Sequence, residues 1–211
     1  MYGLRIAEVE NLTRDLISGT TGGWVVVRIL RRRFPTILTM ETLHAMITNL
    51  EQLYYDQIRD LHSAEIQLIA FLPTLISNAT AEDLRKAFTH HLEESKQQRN
   101  RLEEIAANHE IPLEGAECEA MRGLIREAKK HLADTEEGNV RDAVIIASAN
   151  RIEHYEIAGY GVARSFARCL DFWDDAEFLD ESLREESAAD DAITKVATGG
   201  LFSAGVNEAA I

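Results

Sequence analysis

The chain has 211 residues, of which 45% are hydrophobic, and this is enough to fill the core of one sizeable domain. Its net charge of −14 at pH 7 excludes the basic surface that nucleic-acid binding requires, and its apolar runs fall short of the ~20 residues of a membrane helix. Two cysteines, Cys118 and Cys169, cannot form a disulfide framework, so we expect free thiols in the reducing cytoplasm.

Residues 1–39 differ in charge from the rest of the chain. They contain six arginines against three acidic residues, and Gly22-Gly23 interrupts any helix there. The segment lacks the small-residue cleavage site of a secretory signal. We predict a peripheral basic extension at residues 1–39, a helical domain at residues 40–198 and a tail at residues 199–211. Two alternatives stay open for the extension. It could be an anchor on an acidic surface or a leader upstream of a natural start at Met40.

The body of the chain is predicted to be all-α. The whole chain has only 3 prolines and 12 glycines, and in its body apolar residues recur with the period of a helix. We predict four long helices, with a shorter one in the connection between the second and the third. Pro73 should kink the first helix, Thr80 and Asp171 should cap the second and fourth, and Gly199-Gly200 should end the fourth. The predicted ranges, in chain order, are Thr42–Ser77, Thr80–Asn108, Glu117–Ala133 for the short helix, Val140–Arg168 and Asp171–Thr198.

Each long helix places a carboxylate on its otherwise apolar stripe. Glu65, Glu94, Glu156 and Glu186 occupy these positions in the four predicted helices. Glu94 follows Glu65 by 29 residues and Glu186 follows Glu156 by 30, with a turn near the midpoint of each interval. A helical hairpin of ~15 residues per arm, at ~1.5 Å per residue, returns both members of a pair to one height. Four carboxylates at one level of a bundle are typical of a di-metal site.

Further ligands are predicted one helical turn from these glutamates. A di-iron bundle commonly takes its two nitrogen ligands from Glu-x-x-His, but Gln97 and Ala189 occupy the histidine positions after Glu94 and Glu186. We nominate His91, Glu153 and Asp190, which share the inward face of their helices at spacings of three or four residues. In this hypothesis Glu94 and Glu186 bridge two ions and Glu65 and Glu156 are terminal ligands, while nearby tyrosines such as Tyr160 serve packing. Oxygen ligands with one imidazole suit iron or manganese.

Several stretches carry a family resemblance. They are Asp60-Leu61-His62-Ser63-Ala64-Glu65, His91-Leu92-Glu93-Glu94-Ser95, Cys118 to Leu124, Glu153 to Gly161, and Glu185 to Asp190. In these residues the chain resembles the bacterial YciE/YciF ferritin-like family, catalogued as a domain of unknown function. The resemblance implies a ferritin-like four-helix bundle, a rubrerythrin-type di-metal centre, a homodimer and a link to bacterial stress responses. It does not imply a particular reaction.

The leading hypothesis is a cytoplasmic non-haem di-iron oxidoreductase that consumes hydrogen peroxide or O2. The cofactor would be two Fe ions, and the chain lacks a rubredoxin-like cysteine site, so a separate electron donor would reduce them. Two alternatives stay open. The same ligands would hold manganese in a catalase-like dismutase, and a non-catalytic metal-binding, iron-storage or scaffold protein would need no substrate.

Overall fold

A bundle of four long helices forms the body of the protein. The computed structural model describes residues 47–200 and 203–211, and its helices are α1 (Leu50–Asn78), α2 (Glu82–Asn108), α3 (Glu119–Ala133), α4 (Asn139–Cys169), α5 (Trp173–Thr198) and the single turn α6 (Val206–Ala209). Helix α3 is the short helix in the connection between α2 and α4. The predicted all-α four-helix bundle with one extra helix is therefore confirmed.

Helix α1 begins later than the sequence pattern predicts. The predicted start at Thr42 lies outside the described residues, and in the structure the helix begins at Leu50. The side chain of Asn49 accepts a hydrogen bond from the backbone N–H of Gln52 at 2.8 Å and so caps the helix. Pro73 lies within the helix, which continues to Asn78. The sequence analysis missed this cap because it extended the predicted helix past Asn49 to Thr42.

A side chain from a distant part of the sequence caps helix α2. The predicted cap, Thr80, is wrong, because the helix starts at Glu82 and its N-cap residue Ala81 makes no side-chain cap bond. Instead the buried carboxylate of Asp142, at the start of α4, accepts the backbone N–H groups of Thr80 and Ala81 at 2.7 Å each. A carboxylate at a helix N-terminus also faces the positive end of the helix dipole. This contact joins the first helical hairpin to the second.

Two other predicted boundaries need correction. Asp171 does not cap α5; it has a φ of 60°, in the left-handed region, and the helix starts two residues later at Trp173. The short helix starts at Glu119 rather than Glu117, and the thiol of Cys118 accepts the N–H of Met121 at its N-cap. Gly199, with a φ of 73°, ends α5 as predicted.

The predicted tail contributes to the fold. Gly199–Gly200 (β1) pairs antiparallel with Ser203–Ala204 (β2), with Gly199 opposite Ala204, and α6 follows. Val206 of α6 is buried in the core, and the amide of Asn139 donates to the carbonyl of Ala209 at 2.8 Å. The predicted extension at residues 1–39 lies outside the described residues. None of the helices in the described part of the chain has the length and apolar character needed to span a membrane.

The apolar core consists of two clusters, separated along the bundle axis. One contains Leu68, Leu72, Leu75, Leu84, Phe88, Ile145, Ile152 and Ile193, and the other contains Tyr54, Ile58, Leu61, Leu102, Ile105, Tyr160 and Leu179. Gly159 lets α1 and α4 approach closely, because a Cβ there would lie 2.8 Å from Cδ2 of Leu61. The residues between the two clusters form a polar layer, and this layer holds the candidate site.

Candidate metal centre

Four charged side chains meet in the polar layer. They are His91 from α2, Glu153 and Glu156 from α4, and Glu186 from α5, and each offers one ligand atom within 4.8 Å of the others. All four are at most 2% exposed. Glu153 and Glu156 project to the same face because they are one helical turn apart. The structure therefore brings together two residues from α4 with one each from α2 and α5.

Glu65 of α1 completes this layer. It is fully buried, and its Oε1 accepts a hydrogen bond from the hydroxyl of Tyr160 at 2.6 Å. Burial raises the pKa of Glu65 well above its ordinary value, and the nearby carboxylate of Glu186 raises it further. Because these carboxylates repel one another across the layer, Glu65 belongs to the same electrostatic site as the other four residues. We call these five residues, Glu65, His91, Glu153, Glu156 and Glu186, the buried cluster.

The imidazole of His91 lies between two of the carboxylates. Its Nε2 is 3.3 Å from Oε2 of Glu153 and 3.9 Å from Oε2 of Glu186. Burial lowers the pKa of His91, but the negative charges of Glu153 and Glu186 outweigh burial and raise it to about 10. Burial likewise raises the pKa of Glu153, which His91 lowers in part. A single imidazolium offsets at most one of the four acidic groups.

Most polar atoms of the buried cluster have no hydrogen-bond partner among the described residues. They are Oε2 of Glu65, both ring nitrogens of His91, Oε2 of Glu153, and both carboxylate oxygens of Glu156 and of Glu186. Each buried acceptor left unsatisfied costs about 1–3 kcal/mol, and more when it is charged. Such a set is stable only if the acids are protonated or if cations bind them. The buried cluster can therefore hold a metal ion.

The donor set restricts the kind of ion. Four carboxylates and one imidazole are hard to borderline ligands, and soft thiolates are absent from the cluster. Cys118, the nearer of the two cysteines, instead has its thiol within 2.9 Å of the hydroxyl of Tyr155 and 3.3 Å of a carboxylate oxygen of Asp60. The residues present therefore fit divalent iron or manganese, and four carboxylates match the charge of two such ions.

Glu94, predicted as a bridging ligand, lies at the rim of the buried cluster. Its side chain is 19% exposed, and its Oε1 is 3.1 Å from Nε2 of His90, which is itself 77% exposed. Its Oε2 is 3.8 Å from Nδ1 of His91, too far for a hydrogen bond. The helical stripe placed Glu94 on the correct side of α2, but the structure turns His91 rather than Glu94 to the centre.

Asp190, also predicted as a ligand, is not brought to the centre. Its carboxylate accepts a hydrogen bond from Nδ2 of Asn150 at 2.9 Å and lies 3.6 Å from Nε2 of the exposed His154. It is one turn beyond Glu186, and the next buried residues of α5 beyond Glu186 are Ala189 and Ile193 rather than Asp190. The position one turn before Glu186 is Ser182, which is buried.

Sequence reasoning assigned Tyr160 to packing only. Tyr160 is fully buried in the second apolar cluster, and its hydroxyl also orients Glu65. Burial raises the pKa of Tyr160 well above its ordinary value, and Glu65 adds to this effect. The hydroxyl therefore keeps its proton and donates a hydrogen bond to the carboxylate of Glu65. The signal was present in the sequence, because Tyr160 follows Glu156 by four residues and therefore shares its helix face.

Comparisons with known proteins agree with this fold. Residues 49–210 match the family described as "Domain of unknown function (DUF892)". The chain is 36% identical to Protein YciF of Escherichia coli strain K12 over 161 residues, which are 76% of this chain and 97% of that protein.

Two solved structures are similar to the chain, each at 37% identity. YcfI of Rhodopseudomonas palustris, described as a proposed structural protein, has a TM-score of 0.70 and matches 74% of this chain and 99% of its own. The E. coli stress protein YciF has a TM-score of 0.68 and matches 71% and 94%. Both neighbours are helical ferritin-like folds, as the sequence resemblance predicted. The chain therefore belongs to the DUF892 family of ferritin-like proteins.

Proposed function

We propose that this chain is a ferritin-like di-metal carboxylate protein of a bacterial stress response, and that its metal pair, in the first place iron, reacts with hydrogen peroxide or dioxygen. The observation that carries the proposal is the buried cluster, in which four carboxylates and one imidazole leave eight polar atoms without a hydrogen-bond partner among the described residues. A protein does not retain such a set without use, because replacing it with apolar residues would be neutral or stabilising.

The proposed ligands are the five residues of the buried cluster. Two divalent ions carry a charge of +4, which equals the charge of four ionised glutamates, so the metal would remove the repulsion that raises the pKa of Glu65, Glu153 and Glu156. Glu94 lies close enough to His91 to join the ligands by a side-chain rotation. Asp190 is left out of the proposed set, since its carboxylate pairs with Asn150.

The protein's own residues prepare the site for a small oxidant. When bound, a pair of iron ions supplies the electrons that reduce peroxide or dioxygen. Tyr160 holds Glu65 in one orientation, and the two apolar clusters exclude bulk water from the polar layer on either side. His91 carries a proton at neutral pH in the metal-free protein and gives it up when it binds an ion. The two cysteines of the chain are too few for a rubredoxin-like site, so a separate donor would return the electrons.

The relatives support the biological setting and one alternative. YciF is described as a stress protein, which supports a stress-related role for this chain. A cytoplasmic location, expected from the two cysteines, and a homodimer, implied by the sequence resemblance, are part of the proposal. YcfI is described as a proposed structural protein, which favours as second candidate a non-catalytic scaffold or iron-binding protein built on the same bundle. A manganese catalase-like dismutase would use the same ligands, because iron and manganese accept similar donor sets.

Elemental analysis tests the proposal. Tag-free protein, expressed with iron and manganese both supplied, should contain about two transition-metal ions per chain by plasma mass spectrometry, as the carboxylate count requires. Glu186→Gln should lose this metal, whereas Glu185→Gln, which removes the adjacent acid that pairs with Arg101, should keep it. A folded wild-type protein without metal would refute the di-metal proposal and favour the scaffold.

The identity of the metal then selects the activity assay. Iron-loaded, reduced protein should consume peroxide or dioxygen faster than Glu186→Gln, and manganese-loaded protein should evolve dioxygen from peroxide. Metal-replete protein that does neither would leave storage or structural binding as the function. Particle size separates these two, because storage requires a hollow shell of many subunits rather than a dimer.

A further inference from the structure

A small cavity between α2 and α5 reaches the buried cluster from outside. Its volume is about 80 Å³, the space of two or three water molecules at about 30 Å³ each. Three alanines and Ile193 line the α5 side, and three polar residues and Ala87 lie on the α2 side. The alanines of α5 are Ala188, Ala189 and Ala192, and the polar residues of α2 are His90, His91 and Glu94.

The polar residues of α2 form a graded path from solvent to the centre. The side chain of His90 is 77% exposed, that of Glu94 is 19% exposed and that of His91 is 2% exposed. The three are joined by successive short distances, which are 3.1 Å from His90 Nε2 to Glu94 Oε1 and 3.8 Å from Glu94 Oε2 to His91 Nδ1. Both ring nitrogens of His91 lack a hydrogen-bond partner among the described residues, so the imidazole at the buried end of the path is free to bind a metal ion.

Two other faces of the described bundle do not lead to the buried cluster. A larger groove, of about 870 Å³, lies along α3 and α4, and its lining residues include none from the buried cluster. Further along the same α2–α5 interface, Arg101 forms an ion pair with Glu185 at 2.6 Å and closes the gap. Between α1 and α4, the close approach at Gly159 fills the space with Leu61.

We propose that the α2–α5 cavity is the entrance through which a divalent metal ion reaches the buried cluster, and that Glu94 with His90 binds the ion first and transfers it to His91. This inference rests on the proposed function. A carboxylate and an imidazole at the mouth attract a divalent cation, while the alanines leave room for an ion that has kept a few of its waters. The cavity is too narrow for a larger ligand, so it admits metal ions and small oxidants and excludes organic substrates.

Metal-uptake kinetics test the entrance without an activity assay. Cobalt(II) serves as the probe, because its visible absorption reports ligand binding, and chelated full-length protein is mixed with it in a stopped-flow instrument. Glu94→Gln removes the charge at the mouth and keeps the shape of the side chain. Ala192→Leu places a larger side chain over the mouth from an exposed position, where the core is not overpacked.

Each variant has a matched control. Glu93→Gln removes the same charge from the exposed neighbour, which pairs with Lys96. Ala147→Leu makes the same replacement at an exposed alanine on α4, away from the cavity. Removing a steering charge, or obstructing the path, should slow the second-order uptake rate about tenfold relative to the controls. Ala192→Leu, which changes no candidate ligand, should still reach the same final amount of cobalt per chain. The slowing for Glu94→Gln should shrink at high salt, whereas that for Ala192→Leu should not.

The endpoint and the rate separate the two hypotheses. A wild-type chain that binds no cobalt overturns both the proposed function and the entrance. Full cobalt occupancy, with Ala192→Leu and Ala147→Leu filling at rates within a factor of two, overturns the entrance alone. Should one of the two entrance variants fail to fold, by circular dichroism, the other carries the same test.

Discussion

Replacing Glu156 with glutamine should stabilise the metal-free protein, and bound metal should remove most of this gain. Glu156 is fully buried, and neither of its carboxylate oxygens has a hydrogen-bond partner among the described residues. Burial raises its pKa well above the ordinary value, and the carboxylates of Glu65 and Glu186 raise it further. A glutamine has almost the same shape and no charge. The carboxylate is therefore unfavourable to the fold unless a cation binds it.

The size of the effect follows from the burial. A buried, unpaired carboxylate costs several kcal/mol after relaxation, so Glu156→Gln should raise the free energy of unfolding of the chelated protein by roughly 3 kcal/mol at pH 8. For a domain of this size that corresponds to a Tm higher by roughly 6–12 °C. With metal present, a hundredfold weaker affinity in the variant removes about 2.7 kcal/mol of metal-linked stabilisation. With metal present, the two effects therefore nearly cancel, and the stability gained by Glu156→Gln in chelator should be almost absent.

The effect should also depend on pH in a defined direction. The pKa of Glu156 is raised from its ordinary value of 4.5, so the folded metal-free state holds a proton that the unfolded state releases. The contribution of Glu156 to the free energy of unfolding is therefore fully present below about pH 4.5, and it is lost as the pH rises toward the pKa of the folded state. The advantage of Glu156→Gln over the wild type should therefore be small at pH 5 and grow toward pH 8.

Thermal melts of both proteins, with chelator or with metal, at pH 5 and pH 8, measure all of these differences. Glu185→Gln is the control, because Glu185 is mostly buried but paired with Arg101 through two short contacts. The free energy of unfolding of Glu185→Gln should be roughly 2 kcal/mol lower than that of the wild type whether or not metal is present, as expected for the loss of a charged hydrogen bond. If Glu156→Gln instead lowers the Tm of the chelated protein at pH 8 as Glu185→Gln does, the carboxylate has an unrecognised partner and the argument fails.

Three further predictions concern single residues. Tyr160→Phe should weaken metal binding about tenfold in a chelator competition, because it removes the hydrogen bond that orients Glu65; an unchanged affinity would mean that packing alone fixes the carboxylate. Asp142→Ala should lower the free energy of unfolding in urea by about 2–3 kcal/mol without changing metal content, since two backbone N–H groups before α2 lose their acceptor, and a cost below 0.5 kcal/mol would count against the cap. His91, with a pKa raised to about 10, is protonated at neutral pH in the metal-free protein, so metal binding should release protons in unbuffered titration; equal release from His91→Gln would place them on other groups.

Much of this architecture could be read from the sequence because it depends on local periodicity. The 3.6-residue repeat of apolar positions marked four long helices, and the carboxylates that interrupt the stripes marked the functional layer. The nearly equal spacings, 29 residues from Glu65 to Glu94 and 30 from Glu156 to Glu186, predicted that both hairpins return to one height. The structure has a polar layer at that height. Glu65, His91, Glu153, Glu156 and Glu186 all came from this reasoning.

Details that depend on contacts between helices could not be read in this way. Thr80 looked like a cap because serine and threonine cap helices locally, but the true cap is Asp142, 62 residues away from it. His91 and Glu94 lie one turn apart on one stripe, and only the rotation of α2 against α5 decides which side chain is buried and which reaches the rim. The same rotation turns Asp190 toward Asn150 and leaves the small cavity beside Ala189. Sequence alone thus determined the number and order of the long helices and the polar level that they share, because these depend on local backbone preference and on side-chain spacing along one helix. Only tertiary packing decided which candidate ligands lie innermost, which side chain caps α2 and where the cavity beside the buried cluster lies, because each depends on how one helix is rotated against another.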